Sequence, residues 1–100
     1  MKLSEIVNPY PNEHAARLRD PALFDPDSWG RTNGGTLYGT IKVPVTIAII
    51  WGKYKTANKA SDPPIPQTLR FNKEKWTAEE AKAWLKENKV KYIAFEAAAK

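Results

Sequence analysis

The stretch Leu69–Phe95, LRFNKEKWTAEEAKAWLKENKVKYIAF, decides the fold. Within it a two-residue alternation gives way to a helical period and then returns to β-like chain. Leu69 and Phe71 alternate with Thr68 and Arg70, which predicts a strand over 67–72. Thr77 and Glu80 stand at capping-box spacing, where each side chain satisfies a backbone N–H left free at the start of a helix. Ala78, Ala81 and Leu85, with Trp84 beside them, then form an apolar stripe that predicts a helix over Ala78–Glu87. Glu79 and Glu80 sit at the positive end of its dipole, and Lys86 and Lys89 near the negative end. Asn88 is the expected left-handed stop, and Val90–Phe95 predicts a final strand.

Working outward, Thr56–Pro66 (TANKASDPPIP) is polar and then proline-rich, and reads as a connection between strands. Thr36–Trp51 reads as two strands, because its β-branched density argues against a helix. Leu37, Ile41 and Val43 share one face of the first, and Val45, Ile47, Ile49 and Trp51 one face of the second. Pro44 has no N–H for a ladder and marks an edge, a bulge or the corner between them. Residues 1–35 are rich in turn formers: Asn8-Pro9, Pro11-Asn12, Asp20-Pro21 and Asn33-Gly34-Gly35. Within them Glu13–Arg19 (EHAARLR) is expected to make one or two helical turns. The expected architecture is therefore α+β: an antiparallel sheet of three to four strands with one main C-terminal helix packed on one face. Residues 1–100 form a single domain, in which an irregular N-terminal segment, 1–35, docks on a β-β-β-α-β core, 36–96. Of the four tryptophans, Trp29, Trp51, Trp76 and Trp84, at least two are expected to meet in the core.

The chain has no cysteine, which excludes disulfides, thiolate nucleophiles and Cys-based zinc sites. The start, MKLSEIVNPYPNEH, has no apolar h-region, so secretion by a signal peptide is not expected. The longest apolar run, Val43–Trp51, falls far short of the ~20 residues a spanning helix needs. No membrane association is expected. The net charge of +5 is uneven: residues 1–50 carry five basic and five acidic groups, whereas residues 51–100 carry eleven and six. A basic half favours phosphate backbones or acidic partner surfaces.

His14 is the sole histidine, with Glu13 and Arg17 near it in sequence. Acid–base catalysis would need these side chains to converge in an open cleft; the three are read instead as a structural hydrogen-bonded cluster, and no catalytic residue is assigned. One histidine without cysteine is poor material for zinc. Asp20, Asp25 and Asp27 lack the spacing of a calcium loop and read as turn and capping residues. Gly34-Gly35 lacks the Gly-Lys-Ser/Thr of a phosphate-binding loop. No metal or cofactor is expected. The binding signal is basic residues interleaved with aromatics, Lys53-Tyr54-Lys55 and Arg70-Phe71 with Lys73, a composition suited to single-stranded nucleic acid. Lys53, Lys55, Arg70 and Lys73 are the leading candidates to contact nucleic acid, with Arg17 and Arg31 next. Lys82, Lys86 and Lys89 read as the solvated face of the helix.

Two blocks carry a resemblance. Pro11-Asn12-Glu13-His14-Ala15-Ala16-Arg17-Leu18, Asp20-Pro21, Phe24 and the Asp27–Arg31 run form the first. Gln67–Phe71, Trp76-Thr77, Glu80-Ala81, Trp84-Leu85 and Phe95-Glu96-Ala97 form the second. Together they resemble a small domain of tailed-phage and prophage gene clusters, found beside or fused to prohead protease-like head-morphogenesis proteins. That pattern has paired arginines where this chain has Gly30-Arg31. The resemblance implies a phage or mobile-element context, in the host cytoplasm or the virion, and no particular reaction. With the basic half it supports a non-enzymatic accessory module contacting DNA, RNA or another acidic partner. The alternative is a protein-interaction domain of head assembly or prohead processing with no nucleic-acid role.

Overall fold

The computed structural model describes residues 11–58 and 60–98. Its elements are β1 (Glu13–Arg17), a 3-10 turn (Pro21–Leu23), β2 (Gly30–Leu37), β3 (Ile41–Gly52), β4 (Ile65–Asn72), α1 (Ala78–Glu87) and β5 (Ala94–Glu96). The chain is α+β, with one antiparallel sheet in the order β2-β3-β4-β1-β5. Five strands stand where three to four were expected. The Asn8-Pro9 turn, Lys59 in the β3–β4 loop and the last two residues of the terminal Glu96–Lys100 run lie outside the described residues.

β4 organises the sheet. Leu69 faces Ile49 on β3 and Ala16 on β1, and Phe71 faces Ile47 and His14. Partners directly opposite in an antiparallel ladder share a face, so these residues form one apolar surface. α1 lays Ala81 and Leu85 on it, both fully buried. Phe71 takes the edges of Trp76 and Trp84 at centroid distances of 5.5 and 6.0 Å. Those two tryptophans are thus brought together on one ring. Trp29 stacks on Phe24 instead, and Trp51 donates its indole N–H to Thr32.

α1 has the expected bounds, and both bonds of the Thr77–Glu80 capping box are present. Its C-terminus differs from expectation. Asn88 has φ −93°, and the left-handed residue is Lys89, at φ 55°. Lys89 N–H bonds to Lys86 O and Val90 N–H to Leu85 O, which is a Schellman motif with buried Val90 as its apolar anchor. Val90 therefore ends the helix rather than beginning a strand, and β5 starts only at Ala94.

Part of the segment expected to be irregular is regular strand. Glu13–Arg17 is a strand, held by β4 on one side and β5 on the other. Alanine favours helix, but so short a segment forms no stable helix alone, and two flanking ladders satisfy its backbone as a strand. Asn33-Gly34-Gly35 is likewise inside β2. There the ladder steps from Asn33↔Ala48 to Gly35↔Val43, so Gly34 alone stands opposite Pro44–Ile47. Gly34 has φ +74°, and a Cβ on it would lie 2.8 Å from Val43 O. At this bulge the β2–β3 hairpin turns over, so Thr36–Trp51 is a single bent strand plus the end of its partner, not two consecutive strands. The bend carries Leu37 and Val43 into the core and the turn residue Tyr38 to Arg19, whose Nη1 donates to the Tyr38 hydroxyl at 3.2 Å.

Candidate functional site

The face of the sheet opposite α1 holds Arg31, Arg70, Glu13, Arg17 and Glu96, contributed by β2, β4, β1, β1 and β5. Arg31 clasps Glu13 with two bonds, Nη2–Oε2 at 2.6 Å and Nη1–Oε1 at 3.2 Å. Arg70 Nη1 approaches the same carboxylate at 3.5 Å. Arg17 Nε lies 3.3 Å from Glu96 Oε1, and its Nη1 donates to Thr68 Oγ1. β3 and β4 lie between β2 and β1 in the sheet, so the Arg31–Glu13 pair reaches across two strands. Ala48 and Ala15 flank Arg70 in the ladders and leave room for its side chain. The hydrogen bonds that Arg31 donates to Glu13 raise its pKa, against the opposing effect of burial.

Glu13, His14 and Arg17 do not form one cluster. On a strand their side chains alternate, so Glu13 and Arg17 face the charged side and His14 the core. His14 is buried; its Nδ1 accepts from Ala98 N–H at 2.8 Å and its Nε2–H donates to Trp76 O at 2.9 Å. The ring is thereby fixed as the Nε2–H tautomer, with both nitrogens bonded to backbone. It staples β1 to the start of α1 and to the chain after β5.

The six candidate cations do not make one patch. Lys53 and Lys55 follow β3, where Gly52 pairs with Ile65 at the beginning of β4. Lys73 follows the other end of β4, about 23 Å of strand away. It lines a shallow cavity of about 370 Å³ together with Glu13 and Glu74, so its charge is offset locally. Lys53 and Arg31 line a groove of about 540 Å³ with Trp51, Gly34, Gly35 and Pro64, beside edge strand β2. Arg70 stands by Glu13 on the face opposite α1, and Arg17, 6% exposed, is inside the protein.

A cationic site lies elsewhere. Leu18, Arg19, Tyr38, Lys89 and Lys91 line a cavity of about 320 Å³; among the described residues its walls hold three cations and no carboxylate. Gln67 fixes Arg19 from the sheet: Gln67 O accepts the Leu18 and Arg19 N–H groups, and Gln67 Nε2 donates to Arg19 O. Arg19 Nη1 also donates to Pro66 O at 2.6 Å, and its guanidinium lies 5.7 Å from the Tyr38 ring centroid. The neighbouring helix end offers few bare carbonyls to draw in the lysines, because Trp84, Leu85 and Lys86 already accept backbone bonds. Arg19, Tyr38 and Lys91 were not legible as site residues. Tyr38-Gly39 could be read as a turn, but only the bend at Gly34 brings it to Arg19.

Among the described residues no group of three or more His, Asp or Glu side chains is placed to hold a metal ion. No described helix is long and apolar enough to cross a membrane. Comparisons with protein-family models, curated proteins and solved structures found no match to this chain.

Proposed function

We propose that this protein is a non-enzymatic interaction module of phage origin that contacts nucleic acid through a basic surface. The observation that carries the reading is the Arg19–Tyr38–Lys89–Lys91 cavity, where three cations surround an aromatic side chain and no carboxylate stands among the described lining residues. The basic second half of the chain supports it, as does the diversion of His14 to backbone bonding. The Glu13 contacts of Arg31 and Arg70 and the burial of Arg17 move the contact away from these three arginines.

Three phosphate contacts give a salt slope of about −2.1 to −2.7, so affinity falls roughly 20- to 40-fold over a fourfold rise in salt. Fluorescence anisotropy with labelled DNA at two salt concentrations measures this, and absence of binding at low salt removes the reading. A second reading, a protein contact in phage head assembly, draws on the Trp51 groove beside edge strand β2. It expects capture of a head-assembly protein, lost on Trp51→Ala and insensitive to added DNA.

A further inference from the structure

Two non-glycine residues among the described ones have positive φ: Tyr38 at 52° and Lys89 at 55°. They come from unrelated elements, a hairpin turn and a helix C-terminus, yet line the same cavity. Glycine is the residue that adopts this conformation without steric cost. Here both positions instead carry side chains, one aromatic and one cationic. Strain of this kind concentrates at ligand sites, where the side chain matters more than local backbone comfort.

Arg19 supplies the third element. Its Nη1 is tied to Pro66 O and the Tyr38 hydroxyl, which orients the guanidinium. Among the described residues its Nε and Nη2 have no partner, and these two atoms form the side-on fork that matches two oxygens of a phosphate. Tyr38 lies against the guanidinium and is nonetheless 52% exposed. An exposed ring beside a cation is a stacking platform for a base. Lys89 and Lys91 add positive charge within reach of the same phosphate backbone.

We infer, building on the nucleic-acid reading above, that the cavity binds single-stranded nucleic acid, with one phosphate on the Arg19 Nε–Nη2 fork and an adjacent base on Tyr38. A duplex keeps its bases stacked inside and offers the site phosphates alone. An acidic peptide can fill the fork but leaves the ring without a planar partner.

Fluorescence anisotropy on the full chain separates these ligands. The probes are a labelled thymidine oligonucleotide, its duplex, and an abasic strand with the same phosphates, with polyglutamate as competitor. The thymidine strand is expected to bind about 10-fold tighter than the duplex or the abasic strand, within the range that one stacked base supplies. Tyr38→Ala is expected to bring the thymidine strand down to the level of the abasic strand, while Tyr38→Phe retains the difference. Lys91→Gln is expected to weaken both strands equally and to reduce the salt slope by about one phosphate contact. Circular dichroism confirms that each variant is folded. Equal binding of thymidine and abasic strands, with the salt slope intact, overturns the inference and leaves the basic-surface reading standing. Displacement by polyglutamate as effective as by the thymidine strand also overturns it. Absence of any binding at low salt overturns both.

Discussion

On one side of the sheet Leu69 and Phe71 meet Ile47, Ile49 and Ala16 under α1 and the folded hairpin tip, with no charged group among them. On the other, the intervening residues of the same strands present Arg70, Thr68, Glu13 and Arg17, joined by Arg31 and Glu96 from the edge strands. One register positions both, since a shift by a single residue would exchange every side chain between faces. The apolar face gains from burial, which is non-directional and grows with area. The charged face gains from pairing, which offsets the cost of removing ions from water and adds little beyond that. Stability should therefore reside mainly on the helix side, and the charged side should chiefly fix register.

The sharpest attack on this asymmetry is Phe71→Ala. Phe71 is fully buried and supports both Trp76 and Trp84. Its truncation is expected to cost about 3–5 kcal/mol, a large part of the stability of a domain this size. Urea denaturation followed by tryptophan fluorescence measures the loss. A cost no greater than that of removing a charge from the opposite face would contradict the assignment.

Gly34→Ala tests how the helix side is closed. The added methyl meets Val43 O, a backbone atom that cannot rotate away, and φ +74° is strained for alanine. The expected cost is about 1–3 kcal/mol, accompanied by faster hydrogen exchange at Thr40, whose N–H bonds to Leu37 O across the turn. Unchanged exchange there would mean that the bend does not depend on this close approach.

The same bend marks where sequence reading succeeds and fails. α1 was legible because its cap, stripe and dipole charges are all local, and β4 because Leu69 and Phe71 alternate with polar residues. β1 was illegible: Glu-His-Ala-Ala-Arg has little strand propensity and becomes a strand only between β4 and β5. The glycines in β2 suggested a turn, yet they form a bulge, and the turn lies at Tyr38–Thr40. Val90 reads as a strand residue but anchors the Schellman motif. The leading candidate cations stand out in the sequence by their aromatic neighbours. The cavity depends instead on Arg19 meeting a hairpin tip and a helix end, contacts fixed by a bulge that no periodicity reveals.

A smaller effect is expected from Glu13→Gln on the charged face. It leaves Arg31 and Arg70 without the carboxylate they share. Because Arg31 is 44% exposed, water screens part of the loss, and about 1 kcal/mol is expected, less at high salt. A double-mutant cycle with Arg31→Gln isolates the pair, and coupling as large as the Phe71 effect would reverse the ranking of the faces. The Arg31 pKa is raised in the folded protein. Its contribution is therefore fully present below arginine's ordinary pKa and is lost only as pH rises through the higher folded value, leaving no Arg31-linked change in stability across the neutral range.

Lys89→Gly has the smallest expected effect on stability, and its sign is opposite. Lys89 is the left-handed residue of the Schellman motif, a position where glycine avoids the Cβ penalty. The substitution is expected to stabilise by up to about 1 kcal/mol, measured as a higher urea midpoint at unchanged slope. The motif's hydrogen bonds come from the Lys89 and Val90 backbone and survive the change. The same substitution removes one of the three cations around the cavity and is expected to weaken binding of single strands. A gain in stability coupled to a loss in binding would locate the reason for lysine here in the ligand, since the fold alone favours glycine. Stabilisation with binding intact would assign Lys89 to the solvated face of α1 and leave Arg19, Tyr38 and Lys91 as the site.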